Sequence, residues 1–80
     1  MTLRVLGFGI AREIFGAGII QIDVEENISA GALKKFLETK FPTLKNLSSY
    51  RIAINTEFAE TDDKITSEDE VAILPAVSGG

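Results

Sequence analysis

One stretch of helical periodicity stands in a chain of 80 residues whose other apolar stretches alternate, and that contrast limits the fold most. Ser29 offers an N-cap oxygen, although Ala32 denies it a capping box, and Ile28 and Leu33 have the spacing of a hydrophobic staple. Leu33, Phe36, Leu37 and Phe41 recur at helical intervals, with Lys34, Lys35 and Glu38 on the other side, and Pro42 stops the pattern. A helix over about residues 29–41 is therefore expected.

Around it the period is two. Leu3 and Val5 fall on one face of a first strand within residues 2–10, with Arg4, Leu6 and Phe8 on the other. Gly16, Ala17 and Gly18 break the chain before a second strand from Ile19 to Val24. The two suit a hairpin with Ile10 to Gly16 as an enlarged turn. Residues 50–55 alternate again with Ile52 and Ile54 inward, and a short strand around Phe58 to Glu60 fits the pattern. Ile65 is placed to plug the core. Residues 71–74 close the fold, with Val71 and Ile73 inward and Leu74 outward. One main helix packed across a mixed four- to five-stranded sheet is an α+β solution. A chain this short buries only about 60–65% of its unfolded surface, so function belongs on the surface or at an end.

Composition narrows the chemistry. The chain has no Cys and no His, which removes disulfides, thiolate metal sites, a cysteine nucleophile and the commonest general base. No metal site and no bound cofactor are expected. The net charge of −4 argues against a nucleic-acid partner. No apolar run approaches the ~18 residues of a membrane span, and no secretory signal follows Met1, so a cytoplasmic chain is expected. Seven acids lie between Glu57 and Glu70, against the single base Lys64. That segment reads as a solvated loop or as a surface for a basic partner. Asp62 to Ser67 lacks the spacing of a calcium loop.

Three features bear on function. Gly7-Phe8-Gly9 resembles the start of a dinucleotide motif, but Arg12 holds the third glycine position and no Walker lysine follows. Close backbone approach or a bulge explains these glycines better. Second, Leu6, Phe8, Phe58 and Leu74 all face away from the expected core. If the first and last strands are neighbours, they form an apolar patch of the kind that marks a partner site, unless a loop covers it. Third, the chain ends Pro75-Ala76-Val77-Ser78-Gly79-Gly80. Pro75 is expected to end strand pairing. The small residues after it suit either a featureless tail or a chain end that threads a narrow channel. In the second case the α-carboxylate reaches another protein's active site, where bulk at Gly79 or Gly80 would clash. Once ATP converts that carboxylate into a mixed anhydride with AMP, it can accept sulfur or be attacked by a thiol or amine.

The strand–strand–helix–strand–strand order with a terminal Gly-Gly resembles the ubiquitin-like β-grasp superfamily. Within it the chain is similar over its whole length to the small subunits of molybdopterin synthase, which are sulfur carriers. The resemblance rests on Ala11-Arg12-Glu13-Ile14-Phe15-Gly16, on Ala53-Ile54-Asn55, and above all on Asp69-Glu70-Val71-Ala72-Ile73-Leu74-Pro75-Ala76-Val77-Ser78-Gly79-Gly80. The family often has Pro at the position of Ala76. The resemblance implies a β-grasp domain over residues 1–75 and a flexible tail over 76–80. It also implies that a ubiquitin-activating-like enzyme uses ATP to adenylate Gly80, after which a sulfur donor makes a thiocarboxylate. The large synthase subunit then takes the sulfur for cyclic pyranopterin monophosphate, and two transfers build the dithiolene of molybdopterin. Phe8, Phe58, Leu74, Pro75, Val77 and Ser78 would contact the partner, with Arg12 at the rim and Gly79 beside the reactive Gly80. A thiamin-pathway carrier, a protein modifier that joins Gly80 to a target lysine, and a β-grasp binding module with an inert tail are the alternatives.

Overall fold

The computed structural model describes residues 1–47 and 49–75. Strand β1 (Thr2–Gly7) leads into a short helix α1 (Ile10–Phe15) and strand β2 (Ile19–Asp23). The main helix α2 (Ala30–Lys40) follows, then a 3₁₀ turn (Pro42–Asn46) and strands β3 (Tyr50–Ile54), β4 (Glu57–Phe58) and β5 (Val71–Pro75). The strands form one five-stranded sheet in the order β2-β1-β5-β3-β4. Of the described pairs only β1 and β5 run parallel; the others are antiparallel, so the sheet is mixed.

The core lies between one face of the sheet and α2. Leu3, Val5, Leu33, Leu37, Leu44, Ile65, Val71 and Ile73 are fully buried within it, and Ile54 packs against it half-buried. Alternation in the strands and the helical stripe therefore converge on the expected residues, including Ile65 as the plug. Ser29 caps α2 by accepting a hydrogen bond from the Ala32 amide at 3.1 Å. The first two helix amides, those of Ala30 and Gly31, have no partner within the helix. Ala30 N–H donates instead to the Asp63 carbonyl at 2.8 Å and Gly31 N–H to the Thr61 carbonyl at 2.9 Å. The acidic segment is thereby tied through its backbone to the start of the helix.

One expectation needs correction. The enlarged turn from Ile10 to Gly16 is the helix α1. Gly9 (φ 57°, ψ −129°) precedes it and Gly16 (φ 77°) ends it by donating to the Arg12 and Glu13 carbonyls. It forms because Ala11 and Phe15 bury against the sheet end, a tertiary gain that six residues of pattern do not advertise. As expected, α2 ends before Pro42, which opens the 3₁₀ turn, where its missing N–H costs nothing. Pro75 is itself paired, in register with Tyr50, and is the last residue of β5; the residues after it lie outside the described ones. The last residue of a strand can be proline, because its φ is extended enough and its carbonyl still accepts.

Gly7 is a position of close approach, as expected. A Cβ there would lie 2.6 Å from Phe15 Cδ2 and 3.1 Å from the Arg12 amide nitrogen. Phe15 cannot easily retreat, because its ring packs against Phe41 at a centroid distance of 4.9 Å. Gly7→Ala is expected to cost about 1–3 kcal/mol of unfolding free energy, as overpacked sites do. Urea denaturation measures it; an unchanged midpoint would show that Phe15 yields freely.

Asp69 ties the β3–β4 turn to the start of β5. Its carboxylate accepts from Thr66 N–H and from the Asn55 side-chain amide, each at 2.8 Å, while Asn55 accepts from Glu70 N–H at 2.9 Å. The Thr66 amide, and then Asn55, hold the Asp69 carboxyl below the usual carboxylate range. A lowered folded value means that the stabilisation is complete above the unfolded value of about 4 and is lost as pH falls through the folded one. The melting-temperature gap between the wild type and Asp69→Asn is therefore expected to shrink below about pH 4. A gap constant with pH would assign Asp69 no such role.

Candidate docking surface and reactive end

The parallel pairing of β1 with β5 builds the candidate site. Gly7 is in register with Ile73, and Phe8 N–H donates to the Ile73 carbonyl at 3.3 Å, which sets Phe8 beside the end of β5. On the other side, β3 places Arg51 opposite Leu74, and the tight turn at Asn55 and Thr56 sets Phe58 opposite Ala53. Both turn residues have positive φ (52° and 71°), as a two-residue hairpin of the primed type requires. Because Ile73 and Ile52 point into the core, Leu74 and Arg51 point to the face that α2 leaves open.

These placements frame an open concavity of ≈ 720 Å³, lined by Phe8, Gly9, Ile10, Ser49, Arg51, Phe58, Leu74 and Pro75. Among the described residues the large exposed apolar side chains are Phe8, Ile10, Ile19 and Phe58, and three of these four line it. Phe8 is 48% exposed and Phe58 56%, so each leaves about half its surface open. Convergent exposed aromatics in a concavity are the signature of a docking site rather than of scattered surface residues. Gly9 forms part of its wall. Its backbone conformation is one that side chains resist, and a Cβ there would sit 3.6 Å from Pro75 Cγ.

The expected site residues are sorted by this geometry. Phe8, Phe58, Leu74 and Pro75 come together. Leu6 does not join them: it lines a separate depression with Arg4, Ile19 and Gln21. Alternation assigns Leu6 the right face but cannot tell which end of it. Arg12 is exposed on α1 and lies outside the cavity lining, its guanidinium running past Gly18. Val77, Ser78, Gly79 and Gly80 fall outside the described residues. Pro75, the last described residue, lines the cavity, and the six residues from Pro75 to Gly80 would span at most about 20 Å if extended.

Two residues escape the pattern in the sequence. Ile10 belongs to α1, which periodicity does not reveal. Arg51 looks like an ordinary outward polar residue, yet its guanidinium carbon lies 4.0 Å from the centroid of the Phe58 ring. The signal for it is the hairpin register: with Ala53 opposite Phe58, Arg51 is the diagonal neighbour of Phe58 on the same face.

Elsewhere, Tyr50 donates from its hydroxyl to Glu38 at 2.6 Å, and burial, then Glu38, pushes that hydroxyl well above the usual phenol range. Among the described residues no group of three or more acidic or metal-ligating side chains is placed to hold a metal ion. No described helix is long and apolar enough to cross a membrane.

The pattern of the ThiS family matches residues 5–80. The chain is 35% identical to the molybdopterin synthase sulfur carrier subunit of Dictyostelium discoideum, across 96% of this chain and 94% of that one. The corresponding human subunit is 34% identical, across 98% and 93%. Among solved structures, small archaeal modifier protein 1 of Haloferax volcanii aligns with a TM-score of 0.80 at 20% identity, over 95% of this chain and 98% of the other. A protein–protein complex of subunits 1 and 2 of molybdopterin-converting factor from Helicobacter pylori contains a chain that aligns with a TM-score of 0.69 at 22% identity, each covered fully. At these identities the two structures show the shared β-grasp fold.

Proposed function

Because the chain belongs to the ThiS family, we propose that it is the sulfur carrier subunit of a molybdopterin synthase. The observation that carries this reading is the likeness to sulfur carrier subunits across 96% and 98% of the chain, together with a family pattern that runs to residue 80. The site agrees with it: an apolar concavity suited to a large partner is lined by Pro75, five residues before Gly80.

A ubiquitin-activating-like enzyme binds the chain and joins the Gly80 carboxylate to AMP at the expense of ATP, releasing pyrophosphate. A sulfur donor displaces AMP and leaves a thiocarboxylate. The carrier then docks on the large synthase subunit through Phe8, Phe58, Leu74 and Pro75, and Val77, Ser78 and Gly79 pass the terminus into that subunit's pocket. There the sulfur moves to cyclic pyranopterin monophosphate. The carrier's own residues do no acid–base work; they dock and position, and ATP is consumed by the activating enzyme.

Reconstitution tests this. Thiocarboxylated chain, the large subunit and cyclic pyranopterin monophosphate are expected to yield molybdopterin, with one carrier spent per sulfur. Absence of product from a carrier shown to hold the thiocarboxylate would contradict the assigned pathway and favour another sulfur acceptor.

A further inference from the structure

We infer that Arg51 sets the specificity of the docking surface by receiving a carboxylate of the large subunit at the centre of the apolar interface. The inference rests on the function proposed above and adds to it the chemistry that the partner must present.

Among the described residues, Arg51 is the only charged one that lines the cavity. Its position is fixed from both sides: in register it faces Leu74, and its guanidinium lies over the Phe58 ring with the carbon 4.0 Å from the centroid. The ring accommodates one face of the cation and none of its N–H edges, because the donors of a guanidinium lie in its plane. Any partner that covers Phe8, Phe58 and Leu74 also covers Arg51. A purely apolar cover would strip water from those donors and offer nothing in return, which is the costly case of a buried unpaired charge. A carboxylate can bridge two of the in-plane donors while Phe58 holds the guanidinium in place.

The wider charge pattern gives this pair a second role. The chain carries seven acids between Glu57 and Glu70, so its long-range field favours a basic partner. A single acidic group opposite Arg51 reverses that sign at one point and so fixes orientation and register, as an isolated opposite-charge pair does in a specific interface.

The test compares Arg51→Met, which keeps an apolar stem of similar reach, and Arg51→Lys, which keeps the charge but not the planar fork. Circular dichroism confirms folding, and calorimetric titration against the purified large subunit is run at low and high salt. Arg51→Met is expected to bind at least tenfold more weakly, with a flatter salt dependence, and Arg51→Lys to fall between it and the wild type. Wild-type binding with Arg51→Met within twofold of it at both salt concentrations would overturn the role of Arg51 and leave the function standing. A wild-type chain that does not bind the large subunit would overturn both.

Discussion

Deleting Gly80 is expected to abolish sulfur transfer while leaving the melting temperature nearly unchanged. The deletion does not remove a carboxylate; it moves the carboxylate back by one residue, about 3.5 Å along an extended chain. In-line reactions at a held chain end tolerate far less, since a misplacement of about 1 Å can already cost about a hundredfold in rate. Every buried core residue among those described lies between Leu3 and Ile73, so the fold does not depend on the last position. Reconstituted synthase with the deleted carrier is the assay. Product formation at the wild-type rate would remove Gly80 from the chemistry.

Phe8→Asp is expected to weaken binding to the large subunit by more than about 2 kcal/mol, or roughly thirtyfold, as loss of a central aromatic anchor does. Two effects add. The ring no longer fills its share of the cavity beside Leu74, and a new carboxylate is stripped of water in an apolar recess. Because Phe8 is 48% exposed in the free chain, stability should change by no more than about 0.5 kcal/mol. Calorimetric titration separates the two readouts. Unchanged affinity would place Phe8 outside the interface.

Much of this site is legible in the order of the amino acids, and the reasons are local. Leu3 and Val5 alternate with Arg4, and Leu33 and Leu37 sit a helical turn apart, so the face that each element buries follows from period alone. Once the order of elements is known, Phe8, Phe58 and Leu74 must share the open face. The residues that escape depend on relations between elements. Ile10 reaches the cavity only because Ala11 and Phe15 find a sheet end to pack on. Leu6 leaves it because neighbouring rows of one face belong to different depressions. Arg51 becomes informative only when the hairpin register places it over Phe58. Pro75 is legible as a strand end, because the rule against proline in strands concerns the missing donor and a strand's last residue does not need one.

The central claim is that Gly80 carries sulfur, and intact mass tests it most directly. The full chain is co-expressed with a ubiquitin-activating-like adenylating enzyme and a sulfur donor, purified, and weighed. The account predicts a mass increase equal to the replacement of one oxygen by sulfur, lost in the Gly80 deletion. An unchanged mass, with no larger conjugates formed, would contradict it and leave a β-grasp binding module with an inert tail.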